Sequence, residues 1–415
     1  MGRVWKPLTA IVSTGLVLSG CTPKPAPPSV NPAYPVSVAL QSSAQIQATG
    51  VTIGVLTGPL YGEGSDYRMM ASGATVAAFR FSLDGLTVTL KTVVDDGTAA
   101  GAAAAMQDMI DAGVAGVVVA DAGPHLQNAI AEATAANMCA LLPYDYSVTA
   151  KTPAYHTGAD PTMVASALRA AVTASGMTHP FAVVQPGYES TVAWANSTQW
   201  DGDAGSTAQA IAQLVGGGQV DELVIEAAAI TQAALVSQVQ TQLGNQQLPI
   251  VLTPEALTPV FNDGLTQAGA VPVAMMTVGQ DTSDAVALRP DASGEAISAY
   301  LQSVRMAADN PNIQNVFGDN SFASASGGAD AAAHDAVVAL VRAAEKAGST
   351  SRASVASALA SLSLTQSDGL AGAALDFTAT TPLDPGAIVT LFASPQNPGL
   401  RPDGRTTALT WVPVS

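Results

Sequence analysis

Short apolar runs rich in valine, isoleucine and leucine alternate with longer alanine-rich runs, and this alternation limits the possible folds more than any other feature. Residues 51–56 and 114–120 are apolar almost throughout, as expected of strands buried on both faces of a sheet. Between them, residues 98–112 have helical spacing, and Gly113 ends the predicted helix. The same order continues as far as residues 249–252. The pattern predicts βαβ units, parallel sheets and an α/β fold.

The alternating region is too long for one sheet domain. It starts near residue 49 and continues towards residue 415, so we expect two α/β lobes. Ligands of open parallel sheets bind at the carboxyl ends of the strands. Two lobes would therefore place a ligand cleft between them.

The N-terminal residues have the features of a lipoprotein signal. A basic start is followed by an apolar run over residues 8–18 and then by Ser19, Gly20 and Cys21. The run is too short to span a hydrocarbon core of about 30 Å. We expect residues 1–20 to be a signal peptide, and residues 21–48 to be an acylated cysteine with a proline-rich linker. The alternative is a plain secreted protein or an uncleaved helix, with Cys21 there by chance.

The charge balance excludes some partners. The formal net charge is −17, which opposes binding to nucleic acid or to anionic lipid. A lipid on Cys21 would then have to hold the protein to the outer face of the cell membrane. Cys139 is the second of two cysteines, so we expect it to be buried and unpaired, without a disulfide framework.

Catalytic and metal-binding patterns have little support. The four histidines lack metal-ligand spacing, and there is neither a Gly-x-Ser-x-Gly elbow nor a phosphate-binding loop with lysine. Asp95 and Asp96 follow a predicted strand and could bind a cation, although a solvated strand end is the favoured interpretation. We therefore expect no enzyme activity, no cofactor and no metal.

Several segments, in order along the chain, are similar to one known family. They are residues 53–59 (IGVLTGP), 94–97 (VDDG), 141–143 (LLP), 155–157 (YHT), 253–256 (TPEA), 334–337 (HDAV) and 369–377 (GLAGAALDF). No single segment is specific, but their order and spacing resemble the type I periplasmic binding proteins, in particular the leucine/isoleucine/valine-binding proteins of ABC importers. The resemblance covers nearly the whole chain after the linker.

The resemblance implies a two-lobed fold that closes around a ligand like a flytrap, with three crossings between lobes. We expect these crossings near Tyr155, residues 275–279 and Gly348. Lobe 1 would comprise residues 49–154 plus 280–347, and lobe 2 would comprise residues 155–279 plus 348–415. The implied partners are a small-molecule ligand and an ABC importer permease, and we expect a monomer.

The resemblance also implies which loops hold the ligand. The candidate ligand-binding residues are Tyr61, Glu63, Gly123, His125, Tyr144, Asp145, Tyr146, Tyr188 and Glu255. Gly123 precedes a predicted helix that begins at Pro124, so we expect N–H groups free to bind a polar oxygen. The serine and threonine clamp that grips a carboxylate in the amino-acid binders is missing here. Glu255, however, lies where the family keeps an acid for the ligand's ammonium group.

These residues predict an acidic, aromatic site suited to a cationic or amine-bearing ligand. Alternatively, the tyrosines pack lobe surfaces and the acids are solvated. In lobe 2, a polar loop with Trp194 and Trp200 replaces an expected helix and strand, so the strand is shortened or lost. The two tryptophans either form a partner surface or pack inside.

The predicted function is capture of a small polar ligand, amino-acid-like or amine-bearing, for import by an ABC transporter. Two alternatives stay open. One is a receptor or regulator that reports a ligand to a membrane partner. The other is a cell-envelope scaffold lipoprotein with a degenerate cleft.

Overall fold

A computed structural model describes residues 37–62, 64–271, 274–401 and 409–413. The predicted signal peptide, the acylated Cys21 and most of the linker lie outside these residues, and so does Glu63. Within the described ranges, every helix is too short or too polar to cross a membrane.

The first sheet has five strands, all parallel, in the order β2-β1-β3-β4-β5. Its strands are β1 (Val51–Thr57), β2 (Val88–Val94), β3 (Gly116–Ala120), β4 (Cys139–Leu142) and β5 (Ala154–His156). Strands β3 and β4 are buried along their whole length, which explains their uniformly apolar sequences. Cys139 lies in β4 as a buried free thiol, as expected.

Helices cover both faces of this sheet and complete lobe 1. They are α1 (Ala44–Thr49), α2 (Gly73–Ser82), α3 (Ala99–Asp111), α4 (Gln127–Ala135), α9 (Ala292–Ala308), α10 (Ala331–Ala347) and α11 (Arg352–Leu359). A two-stranded ribbon, β11 (Ser363–Leu364) with β12 (Leu375–Asp376), lies in the same lobe. Helix α10 is buried along most of its length, because the sheet and other helices surround it.

The second sheet has the order β14-β13-β10-β9-β8-β6-β7 and forms the centre of lobe 2. Its strands are β6 (Pro180–Val184), β7 (Ser197–Gln199), β8 (Glu222–Glu226), β9 (Ile250–Leu252), β10 (Met275–Gln280), β13 (Ile388–Ser394) and β14 (Thr410–Pro413). The strands from β7 to β10 are parallel, whereas β13 and β14 pair antiparallel. Its helices are α5 (Pro161–Ser175), α6 (Ala204–Gly216), α7 (Ala229–Leu243) and α8 (Pro259–Ala268).

The chain passes between the lobes after β5, after β10 and again before β13. The last of these positions differs from the crossing expected near Gly348. Val355, Leu359 and Leu370 are buried in the same core as the first sheet. Residues 352–383 therefore belong to lobe 1, because their apolar side chains have their burial partners there.

The altered segment of lobe 2 is an edge. The strand expected there is shortened to three exposed residues, β7, which pair with β6. Trp194 donates its indole N–H to Glu226 Oε1 at 2.7 Å and packs on the core of lobe 2. Trp200 packs on the other side of the same sheet. Both tryptophans are therefore half-buried side chains that pack on the cores of lobe 2.

Candidate ligand-binding cleft

A cavity of about 730 Å³ lies between the two lobes and is lined from both. Lobe 1 contributes aromatic and polar side chains, including Tyr67, Tyr144 and Tyr146. Lobe 2 contributes apolar side chains, including Leu391 and Trp411, together with polar ones such as Asp263. Cavities of roughly 300–1,000 Å³ are typical of sites for drug-sized ligands. The cleft expected from two α/β lobes is therefore present and large.

Tyrosines form one wall of this cavity. The rings of Tyr67 and Tyr144 stack with centroids 5.0 Å apart and planes 12° apart. Tyr144 donates its hydroxyl hydrogen to Asp330 Oδ2 at 3.0 Å, and that carboxylate also accepts from Ala332 N at the start of α10. The Tyr67 hydroxyl is buried and has no hydrogen-bond partner among the described residues.

Glu255 lies next to this wall, on the other lobe. It belongs to a 3-10 turn, Pro254–Leu257, which follows β9. Tyr146 of lobe 1 donates its hydroxyl hydrogen to Glu255 Oε1 at 2.7 Å. The second carboxylate oxygen, Oε2, is buried without a hydrogen-bond partner in the part of the chain that the structure describes. Burial raises the pKa of Glu255 to about 7, although the hydroxyls of Thr253 and Tyr146 oppose the change.

Acidic groups outnumber basic ones around the cavity. Asp263, Asp284 and Asp330 line it, and Arg401 is the one cation among its described lining residues. Arg401 is already engaged, because its guanidinium binds Asp284 at 3.0 Å and donates to Ala329 O at 2.6 Å. That ion pair neutralises Asp284 as well, which leaves Asp263 and Asp330 as the excess charged groups, so the cavity suits a positively charged group better than an anion.

Tyr144 and Tyr146 line the cavity, as the sequence suggests, and Glu255 hydrogen-bonds Tyr146 from just behind the lining, with Pro254 and Leu257 of the same turn at the cavity itself. Tyr188 is half-buried and close enough to Tyr67 to contribute to its raised pKa. Tyr61 is 86% exposed and does not line the cavity.

Gly123 and Asp145 have a different role from the one expected. Gly123 N donates to Asp145 Oδ2 at 2.6 Å, so this N–H is not available to a ligand. The same carboxylate, fully buried, accepts from the N–H groups of Ser147 and Val148. Asp145 therefore holds two loops of lobe 1 in place, because its oxygens accept from both, including the Val148 N–H that would otherwise be buried unpaired.

His125 is buried in lobe 1 with two acids. Its Nε2 lies 3.2 Å from Asp95 Oδ2 and 3.3 Å from Asp121 Oδ2. Burial lowers the pKa of His125, but the hydrogen bonds with the two carboxylates outweigh it and raise the value to about 10. Burial raises the pKa of Asp121 to about 7. Asp95 is thus a buried ion-pair partner rather than a solvated strand end.

Among the described residues, Asp95, Asp121 and His125 form the one cluster whose side chains could hold a metal ion. Their ligand atoms all lie within 4.8 Å of one another. A protonated His125 balances one of the two carboxylates, and the raised pKa of Asp121 favours a proton on the other, so ion pairing and one shared proton account for the arrangement.

Sequence patterns did not single out Asp66, Tyr67, Asp330 or Arg401. Residues 65–81 have continuous helical spacing, yet two 3-10 turns, Ser65–Tyr67 and Met70–Ser72, precede α2. These turns direct Asp66 towards lobe 2, where its carboxylate accepts from Ala229 N at 2.8 Å. Burial raises the pKa of Asp66, and the Ala229 N–H opposes that change.

Comparison with known proteins gives no matching family model and no matching curated protein. Solved structures do match. A type 1 periplasmic binding protein from Bordetella pertussis Tohama I superimposes with a TM-score of 0.62 at 15% identity, covering 88% of this chain and 100% of that one. The chain has the type I periplasmic-binding-protein fold.

Two further neighbours share this fold. A branched-chain amino acid transporter substrate-binding protein from Streptococcus pneumoniae, solved with isoleucine, gives a TM-score of 0.59 at 16% identity, with coverage of 88% and 100%. A fatty acid ABC transporter substrate-binding protein from Thermomonospora curvata gives 0.58 at 16% identity, with coverage of 88% and 91%. Their named ligands differ widely, so the fold does not define the ligand.

Proposed function

We propose that this chain is an extracytoplasmic solute-binding protein that captures an amine-bearing ligand between its lobes and delivers it to an ABC importer. A lipid on Cys21 would hold it to the membrane. The observation that carries the ligand class is the Glu255 carboxylate, which is 3% exposed and has one oxygen without a hydrogen-bond partner among the described residues. The similarity of fold to importer binding proteins supports the role in transport.

A protonated amine is the chemical group that Glu255 fits best. Leaving a buried charged acceptor unpaired is costly, and a charge-assisted hydrogen bond to it contributes about 1.5–3 kcal/mol. Tyr67 and Tyr146 place aromatic rings close to the same carboxylate, and such rings favour a cation further. The lining acids would repel a ligand that carried only a carboxylate.

The rest of the cavity suggests that the ligand has an apolar part. Leu257, Leu391 and Trp411 line the lobe 2 side, and the volume of about 730 Å³ leaves room beyond one ammonium group. Burying apolar surface contributes about 25 cal/mol per Å². We therefore expect amines with an apolar chain or ring to bind more tightly than small hydrophilic amines.

A thermal-shift screen tests this function. The protein is tested against amino acids, polyamines, aryl and alkyl amines, and matched compounds in which a hydroxyl replaces the amine. A ligand at a hundredfold its dissociation constant stabilises the folded protein by about 2.7 kcal/mol, which is readily seen as a rise in melting temperature. We expect stabilisation by amines and none by the matched alcohols.

Glu255→Gln is the decisive variant, and Glu222→Gln is its matched control. Glu222 is also a fully buried acid of lobe 2 with a raised pKa, but it begins β8, at the opposite end of the sheet from the cavity. The amine response should disappear in Glu255→Gln and persist in Glu222→Gln. Stabilisation by no compound would favour the scaffold alternative, and stabilisation by acids but not by amines would contradict the ligand class.

A further inference from the structure

Helix α7 of lobe 2 begins without a cap of its own. Its N-cap residue is Ala228, whose side chain cannot accept a hydrogen bond. Most other long helices of the described chain have a capping side chain, such as Asp203 for α6, Asp291 for α9 and Asp330 for α10. An uncapped N-terminus leaves backbone N–H donors unsatisfied and the positive end of the helix dipole uncompensated.

The missing cap comes from the other lobe. Asp66 Oδ2 of lobe 1 accepts from Ala229 N, the first residue of α7, at 2.8 Å. Asp66 is 7% exposed, and Ala229 is fully buried. The turn that carries Asp66 also contacts α8, so this part of lobe 1 rests directly on lobe 2.

The cap is connected to the cavity through the next residue. Tyr67 follows Asp66 in the same 3-10 turn, lines the cavity and stacks on Tyr144. A second bond between the lobes, from Tyr146 to Glu255, lies beside it. A ligand that orders Tyr67 would therefore also order the turn that presents the Asp66 carboxylate.

We propose that Asp66 is a closure latch: it supplies in trans the N-terminal cap that α7 lacks, and the cap forms only when the two lobes are closed. When the lobes separate, Asp66 returns to water and the first turn of α7 loses its acceptor. The latch therefore shifts the balance between open and closed forms towards the closed one. Its effect on ligand affinity rests on the proposed function, but its effect on closure does not.

Measuring the distance between the lobes without ligand tests the latch by itself. Spin labels are attached to the full chain carrying Cys21→Ser, at Asp108→Cys on α3 and Gln209→Cys on α6, both of which are exposed positions. Cys139 is buried, and burial raises the pKa of its thiol to about 12, so it should not be labelled. Loss of an N-cap carboxylate corresponds to about a 2- to 30-fold change in an equilibrium. Asp66→Ala should lower the ratio of closed to open molecules by that factor.

Two further variants separate a latch from a general loss of stability. Ala228→Ser gives α7 a cap of its own in both forms, so Asp66→Ala should have a smaller effect on the distance in that background. Asp203→Ala removes a cap within lobe 2, from α6, and should lower the melting temperature without changing the distance between lobes. If Asp66→Ala fails to fold, Asp66→Asn keeps the size and removes the charge, and should shift the distance in the same direction by less.

The proposal is overturned if the parent protein shows no closed population, or if a folded Asp66 variant leaves the distances unchanged. It is also overturned if the shift is equally large with Ala228→Ser, or if Asp203→Ala produces the same shift. A failed amine screen would leave the latch standing, since no ligand is used here.

Discussion

Replacing Glu255 with glutamine should make the ligand-free protein more stable at alkaline pH, although it removes the proposed ligand contact. Glutamine has the same shape and can still accept the hydrogen bond from Tyr146. It has no charge, so it avoids the cost of burying a carboxylate whose Oε2 has no partner among the described residues. The amine ligand would normally compensate for that cost.

The magnitude follows from the pKa of Glu255, which burial raises from 4.5 to about 7. Between these values the unfolded chain has lost its proton while the folded protein keeps it, so the free energy of unfolding falls as pH rises. Each pH unit in this interval contributes about 1.4 kcal/mol, and the whole interval about 3 kcal/mol. Below pH 4.5 the two proteins should be equally stable. Above pH 7 the variant should be more stable by up to about 3 kcal/mol.

Urea unfolding at pH 4.5 and pH 8 measures this difference directly. Glu222→Gln serves as the comparison, because burial also raises the pKa of Glu222 to about 7. We expect a similar gain at pH 8 for that variant, but no loss of ligand binding. The reasoning is refuted if Glu255→Gln changes stability equally at both pH values, or if it destabilises the protein at pH 8.

Three further predictions concern lobe structure, and melting temperature or urea unfolding measures each. His125→Gln should destabilise the protein by about 3–5 kcal/mol, because it leaves Asp95 and Asp121 buried together without their cation; a change below 1 kcal/mol would mean that one proton shared by the acids is sufficient. Asp145→Ala should cost about 1–3 kcal/mol, since it leaves the buried Val148 N–H and the N–H groups of Gly123 and Ser147 without their acceptor; an unchanged melting temperature would show that water replaces the carboxylate. Trp194→Phe should lose the bond to Glu226 and cost about 1–3 kcal/mol, with Trp200→Phe as the control; equal effects would assign the cost to packing alone.

The sequence predicted the sheets well because their strands are buried. Residues 51–56 and 114–120 correspond to β1 and β3 within two residues at each end. A short, continuous apolar run is typical of a strand whose two faces are both covered by helices, so its bounds can be recognised in the sequence. The turns before α2 were not predicted, because residues 65–81 have helical spacing whether or not the first turns are 3-10. The last crossing between the lobes lies later in the chain than the sequence predicted. Residues 352–383 carry apolar side chains that could be buried in either lobe, and only their packing in the folded protein assigns them to lobe 1.

The candidate site was predictable only in part. Tyr144, Tyr146 and Glu255 follow strands, so the topology alone brings them to the cleft. The contacts that decide the role of a side chain come from distant parts of the chain. His125 pairs with Asp95, thirty residues earlier, and Asp66 caps a helix that begins at Ala229. No local pattern distinguishes such a paired group from a solvated one or from a ligand contact.

The affinity of an amine ligand as a function of pH tests the central claim most directly. If a charged Glu255 binds the ligand, lowering the pH from 8 to 6 should weaken binding about tenfold, because the pKa of Glu255 is about 7 and most molecules would then carry a neutral carboxyl. Titration calorimetry at both pH values should show this loss in the parent protein and in Glu222→Gln, and little binding in Glu255→Gln. An affinity that is the same at both pH values, or unchanged in Glu255→Gln, would contradict the account.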